Sequence, residues 1–443
     1  MNKEYPRILF ISSHASLTGT RRLTYDFYLS FVKYGCQTDL MLKEEADIPE
    51  PHLFFISLKE QNRSNRKIKL FFNRFLLNIK KIVRLKLLHM KPKQNYYFFY
   101  KDENHPPFNP DRIVEKIEAK YDLVIINTWE GFIGAKVIEK IYDKLHVPIF
   151  LLPPDFCAIT GGCHYFNDCV KYQSGCHSCP ATNGDDFPAF NAQERKRIWT
   201  KTNLVLLGND YTESIIHKSY VYGNKKVIKR FPVINEDLFK PRNIQNLRNE
   251  FDIDSSFKYI ISFGAQSISD PRKGMIYLWE ALNELYNIIG RDKRQEILLL
   301  IAGNASHLSK EKIPFPYKQL GYLNMEQLAK MYAVSNVFLS PSIIDAGPMM
   351  VNQALSCGTP VVSFAIGTAL SVIMDKGTGY VAKTKNSVDF ANGISTILEL
   401  PNNEYEKMRQ RCRNVALNTT SFKAAADPII KAYRNLNLEI YKQ

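Results

Sequence analysis

The sequence predicts an α/β protein built as two doubly wound parallel sheets that face each other across a deep cleft. Three observations predict it. Short apolar runs alternate with amphipathic stretches of helical period along the chain, the pattern of strands buried on both faces and of the helices that cover them. The alternation breaks once, in a turn-rich connector at Phe231–Pro241, and then restarts. At 443 residues, 45% of them hydrophobic, the chain can fill about two to three cores.

The first unit opens with Arg7–Ser13, an apolar strand that ends in small residues. Ser16–Thr20 then leads into an amphipathic helix carrying Leu23, Phe27, Leu29, Phe31 and Val32. Strand, small-residue loop and helix begin a Rossmann-like unit. Asp39–Leu42, Tyr121–Asn127, Val147–Leu152 and Asn203–Gly208 supply its further strands. Past the connector, strands are expected at Tyr259–Gly264, Ile297–Gly303, Val337–Ser340 and Pro360–Phe364. Helices are expected at about Gly274–Tyr286, Met325–Val334 and Asn352–Ser356. The division is therefore 1–233, 234–420 and a C-terminal helix, 421–443, that packs back on the first unit. Ligands of such sheets bind beyond the carboxyl ends of the strands, here in the cleft.

Charge sets one segment apart. The net charge is +15, and Gln61–Tyr100 contains no Asp or Glu but many cations, from Arg63 to Lys93. Leu, Ile, Phe and Val lie between them near helical spacing, which describes a basic amphipathic helix within an insertion at 61–100. Such a segment suits contact between 63 and 93 and an anionic membrane surface. An ordinary surface helix has the same pattern. No nucleic-acid-binding motif accompanies the charge, so nucleic acid is not an expected partner. No apolar run reaches the roughly 18 residues of a membrane span. The chain runs into a strand from Met1 without a leader, so a cytoplasmic protein, peripheral on the inner membrane face, is expected.

The most informative stretch is Leu339-Ser-Pro-Ser-Ile-Ile-Asp-Ala-Gly-Pro348, continuing as Met349-Met350 through Gln353 to Cys357-Gly-Thr-Pro-Val-Val362. A strand ends, a loop with Gly347 and Pro348 follows, and a helix starts near Met349. Free N–H groups at such a start suit a diphosphate. Asp345 stands in the loop, where a carboxylate can meet sugar hydroxyls, and Gln353 is expected to point into the same cleft. Asp270-Pro-Arg272-Lys273-Gly274 follows the Tyr259 strand, and two cations there can neutralise a departing pyrophosphate.

These segments resemble the GT-B-fold retaining glycosyltransferases called group 1 or family four. The specific resemblance runs from about Tyr259 to Ala382. It implies that Asp345 and Gln353 occupy the positions of a pair of acidic residues, the first on the donor sugar and the second on the ribose. Gln353 there makes an uncharged contact. Arg272 and Lys273 match the family's diphosphate cations, and Leu323 lies in a segment that flanks the nucleotide base. Gly19 corresponds to a glycine loop near acceptor and phosphates, thinned here to one glycine. The resemblance assigns 1–233 to the acceptor and 234–420 to a UDP- or GDP-sugar donor. It implies metal-independent hexosyl transfer with retention, to a glycan that is lipid-linked, in surface polysaccharide assembly. Rival readings are a sugar-nucleotide epimerase and a non-catalytic glycan or partner binding protein.

Asp155-Phe-Cys-Ala-Ile-Thr-Gly-Gly-Cys163-His164-Tyr165 resembles a segment of a polysaccharide-assembly branch of that family. The branch has His before the aspartate, where this chain has Pro154, so Asp155 or His164 stands in for it. Cys163, Cys169, Cys176 and Cys179 lie at C-x5-C-x6-C-x2-C within a loop at 157–180. Four thiols so close in a cytoplasmic protein fit structural zinc. Free or disulfide cysteines and an iron–sulfur cluster are the other readings.

Overall fold

A computed structural model of the chain describes residues 5–16, 22–43, 45–49, 53–55, 103, 108–128, 131–182, 186–223, 225–267, 269–304 and 313–440. The basic segment at 63–93 and Gly19 lie outside the described residues. No helix among the described residues is long and apolar enough to cross a membrane.

The first sheet holds seven parallel strands: β1 (Ile8–Ser12), β2 (Thr38–Leu42), β3 (Leu53–Phe55), β4 (Leu123–Ile126), β5 (Ile149–Leu151), β6 (Val205–Gly208) and β7 (Val227–Lys229). Their spatial order is β3-β2-β1-β4-β5-β6-β7. The second holds β8 (Tyr259–Ser267), β9 (Ile297–Asn304), β10 (Tyr317–Gly321), β11 (Val337–Ser340), β12 (Val361–Phe364) and β13 (Gly379–Ala382), in the order β10-β9-β8-β11-β12-β13. Both orders run outward in two directions from the first strand, the doubly wound arrangement. The protein thus has two parallel-sheet Rossmann-like α/β domains.

Strand composition explains the layering. Along β1, Ile8 and Phe10 join one apolar layer, with Phe27, Tyr28 and Phe31, while Leu9 and Ile11 join the layer on the other face. β4, Leu-Val-Ile-Ile, is likewise completely buried. In the second domain Ile261 and Phe263 pack under the Met275–Ile288 helix, and Ile260 packs on the opposite side against Tyr332 and Ala354.

Strands β3, β7, β10 and β13 are missing from the sequence reading. β10 is Tyr-Lys-Gln-Leu-Gly, partly exposed at the sheet edge, so it has no apolar run to show.

The chain ends by crossing back. The Phe422–Ile440 helix buries Phe422, Ala425, Ala426, Ile429, Ile430 and Tyr433 in the first domain's core, beside Phe27 and Phe31. The Tyr34 hydroxyl donates to Asp427 at 2.6 Å, and Pro428 is accommodated within the helix. Between the domains, Asn209 Nδ2 donates to the Ala346 carbonyl at 2.7 Å and the Ser371 hydroxyl to Asp210 at 2.8 Å.

Candidate active site

The interdomain face of the second domain is made by two strand-to-helix loops. After β8, Asp270 caps a single turn: its Oδ1 accepts the Arg272 N–H at 3.0 Å and its Oδ2 the Arg272 guanidinium at 2.7 Å. The turn ends at Gly274 in the left-handed region, φ 63°, which lets Lys273 turn back toward β11. There the Arg272 carbonyl accepts the Ile343 N–H at 2.9 Å, welding the two loops together.

Asp345 and Lys273 meet across this seam. Lys273 Nζ lies 3.0 Å from Asp345 Oδ2, while Asp345 Oδ1 accepts the Gly347 N–H at 3.0 Å. Pro348 is the N-cap of the Met349–Ser356 helix, and no side chain caps the first-turn N–H groups there. A carboxylate, an ammonium and an uncapped helix start are therefore gathered at one point.

The first domain answers across the cleft with the loop after β5. Asp155 Oδ2 lies 2.5 Å from His164 Nδ1, and Asp155 Oδ1 accepts the Cys157 N–H at 2.8 Å. Tyr165, the next residue, places its ring 4.1 Å below the Arg272 guanidinium. Burial first, then the neighbouring Asp345 and Asp155 carboxylates, push the Tyr165 hydroxyl's pKa well up, so it stays a neutral donor. Tyr165 thus touches Arg272 of the second domain and feels the carboxylates of both domains. A cavity of about 300 Å³ lies beside them, lined by Asp155, Asn127, Thr128, Arg230, Gly347 and Met349 among others.

Other sequence-predicted residues are placed differently. Gln353 does not reach the cleft: it is buried, and its Oε1 accepts the Tyr332 hydroxyl at 3.3 Å. In the middle of the Met349–Ser356 helix, which packs against β11, its side chain is turned toward the domain core. Leu323 is buried in the core, beside the exposed Tyr322. Met350 is half-buried in the first helical turn.

The expected zinc arrangement is not formed. Among the described residues no group of three or more His, Cys, Asp or Glu side chains is set to hold a metal ion. The thiols are engaged within the loop: Cys176 Sγ accepts the Gly161 N–H at 3.3 Å, and Cys163 and Cys179 pair with each other beside Ala181. In that pair Cys163 holds the proton, and its hydrogen bond makes Cys179 the more acidic thiol. Cys169 is only half-buried. Aromatic packing shapes the loop as well, with Phe166 stacked on Tyr172 at 4.3 Å.

Sequence reasoning missed the residues that hold the Asp155–Tyr165 loop still. Five consecutive carbonyls are met by side chains of two other segments, the Phe187–Lys201 helix and Ser219. Arg195 donates to Cys157 at 2.8 Å and to Thr160 at 2.5 Å, Trp199 to Ala158 at 3.1 Å, Ser219 to Ile159 at 2.8 Å and Asn191 to Gly161 at 3.1 Å. Arg195 is fully buried and pairs with Glu103 at 2.8 Å. A Cβ on Gly161 would lie 2.2 Å from the Pro188 carbonyl oxygen, so the loop sits flush on the Phe187–Lys201 helix. The available signal was a helix with Asn191, Arg195 and Trp199 at i, i+4, i+8, a polar stripe on a buried face.

Known proteins share this construction. Residues 243–416 match the family described as Glycosyl transferases group 1. An uncharacterized glycosyltransferase of Methanocaldococcus jannaschii is 22% identical over 310 residues, 61% of this chain and 72% of the relative. Among solved structures, sucrose-phosphate synthase from Thermosynechococcus elongatus superposes with a TM-score of 0.61 at 17% identity, covering 98% of this chain and 99% of the other. Anabaena HepE, in a complex with UDP and glucose, superposes with a TM-score of 0.58 at 13% identity, covering 99% of this chain and 100% of that one. These likenesses carry the GT-B fold, with its two Rossmann-like domains and the cleft between them. The match to the Glycosyl transferases group 1 family thus falls, at residues 243–416, within the second of the two domains of a GT-B fold.

Proposed function

We propose that this chain transfers a hexosyl group from a nucleoside-diphosphate sugar, UDP- or GDP-linked, to a hydroxyl of a glycan acceptor with retained configuration. The observation that carries this reading is the Lys273–Asp345 pair beside the uncapped start of the Met349–Ser356 helix. In it, Lys273, Arg272 and the first helix N–H groups, at Met349 and Met350, stabilise the leaving diphosphate as its charge develops. Asp345 orients the donor sugar, and no metal is asked for, because these cations and the helix dipole carry the compensating charge. The solved HepE complexes with UDP and with UDP-glucose support a UDP-sugar as the first donor to try.

Asp155, with His164 behind it, faces the sugar from the acceptor domain, and Tyr165 keeps Arg272 at the cleft. The acceptor is lipid-linked in this reading, and the enzyme works on surface polysaccharide at the cytoplasmic membrane face. The basic segment at 63–93 supports that placement. In a non-catalytic binding protein Lys273 and Asp345 need not meet at a diphosphate site, so their pairing favours the enzyme over that rival.

The test is release of nucleoside diphosphate by the purified chain from a panel of UDP-, GDP- and ADP-sugars. One donor is expected to turn over, and Asp345→Ala and Lys273→Ala each to lower that rate by roughly 10²–10³-fold. No release, together with no thermal stabilisation by any nucleotide, would sink the enzyme reading.

A further inference from the structure

The first-domain wall of the cleft cavity contains a cation with no counter-charge. Arg230 follows β7, where its N–H donates to the Gly208 carbonyl at 2.7 Å and pins it to the end of β6. Its side chain lines the cavity opposite Gly347 and Met349. Among the described residues its guanidinium has one neighbour of note, the Phe27 ring, 5.7 Å from the central carbon. Among the described residues no hydrogen bond or ion pair engages it. The one carboxylate lining the cavity, Asp155, is already committed to His164 and the Cys157 N–H. Desolvation, with no opposing charge, depresses the pKa of Arg230 to about 10, yet it remains charged at neutral pH. A half-buried, unpaired guanidinium is costly to keep, and its planar fork fits an oxyanion bidentately.

We propose that Arg230 seats an oxyanion of the acceptor substrate, a phosphate or carboxylate group. This rests on the transferase reading above and names the acceptor's chemical class. The donor's diphosphate has its own cations, Arg272 and Lys273, and neither lines this cavity. Arg230 belongs to the other domain, among hydroxyl and amide groups of Thr24, Asn127 and Thr128 that suit an acceptor's polar surface. Asn127 is itself oriented by donating to the Thr24 hydroxyl at 3.1 Å. An acceptor held by its anion at Arg230 presents a neighbouring hydroxyl toward Gly347 and the Asp345 loop.

The test is thermal stabilisation of the full chain by inorganic phosphate, titrated in saturating UDP so that the donor site is filled. The wild type is expected to gain stability with phosphate. Arg230→Met is expected to weaken that response roughly tenfold or more while keeping the UDP response. Arg230→Lys is expected to retain part of it, and it carries the test if Arg230→Met fails to fold. A wild type blind to phosphate under UDP would overturn the proposal, as would an Arg230→Met variant that responds like the wild type. Loss of the UDP response in Arg230→Met would also overturn it, reassigning Arg230 to the donor diphosphate. If UDP stabilises nothing but phosphate acts through Arg230, the donor reading fails and the oxyanion seat stands.

Discussion

At the scale of single residues, charge placement decides what the cleft can do. Lys273 and Asp345 are 72 positions apart in sequence and 3.0 Å apart in space. Both were legible as residues of interest, because each stands between a strand and a helix start, where ligands of such sheets gather. Their pairing was not legible. Arg195 shows the opposite case, a residue that the sequence offers as one more surface cation and the fold buries completely. It holds two loop carbonyls and Glu103 at once, so Arg195→Met leaves a buried carboxylate unpaired. That variant is expected to lose about 3–5 kcal/mol of stability, checked by urea unfolding of the purified protein. Donor turnover is expected to fall with it, because the Asp155–Tyr165 loop loses two of its anchors.

At the scale of elements, the seam between the loops after β8 and β11 positions Lys273 against Asp345. It depends on Gly274, at φ 63°, where a Cβ would lie 1.9 Å from the Pro341 carbonyl oxygen. Gly274→Ala therefore forces the loops apart. It is expected to raise the donor KM sharply and lower the melting temperature, measured by steady-state kinetics and calorimetry on one preparation. A second junction is electrostatic. Glu139 on the Ala135–Leu145 helix receives Arg197 from the Phe187–Lys201 helix at 2.9 and 3.1 Å, and Lys201 at 3.0 Å. The Arg197 hydrogen bond foremost lowers the Glu139 pKa from 4.5 to about 2. A depressed folded-state pKa stabilises above the unfolded value, and that contribution fades as pH falls from about 4.5 toward about 2. The site is partly solvated, so the effect is on the order of 1 kcal/mol. The melting-temperature gap between wild type and Glu139→Gln is expected to hold at pH 7 and to shrink as pH falls below about 4.5.

At the scale of the whole molecule, the two domains are not independent beads. The chain's last helix leaves the second domain and fills the first domain's core with Phe422, Ile429, Ile430 and Tyr433. Each such side chain contributes about 1.5–3 kcal/mol when fully buried, which together rivals a typical domain's entire margin of about 5–15 kcal/mol. Removal of residues 421–443 is expected to abolish the first domain's unfolding transition while leaving that of the second. Differential scanning calorimetry of the truncated chain checks this. The same crossing ties the hinge between domains at both ends of the second domain, where Ile234 N–H donates to the Thr420 carbonyl at 2.8 Å.

The sequence by itself determined the alternation of strands and helices, the two-domain α/β plan and the strand-to-helix loops that meet at the cleft. Those features are written in local periodicity and in strand ends, which any parallel sheet must place at a cleft. Only the tertiary structure decided which residues meet there. It turned Gln353 to Tyr332 instead of the cleft, because the helix packs that face on the core. It paired Cys163 with Cys179 and gave Cys176 the Gly161 amide, so the four thiols form no metal cage. It set five side chain–carbonyl bonds under one loop, and it left the Arg230 side chain facing a cavity without a hydrogen-bond or ion-pair partner among the described residues. Spacing along the chain fixes distances only within a turn or two of an element. Contacts between residues a hundred positions apart follow from packing, which no local pattern records.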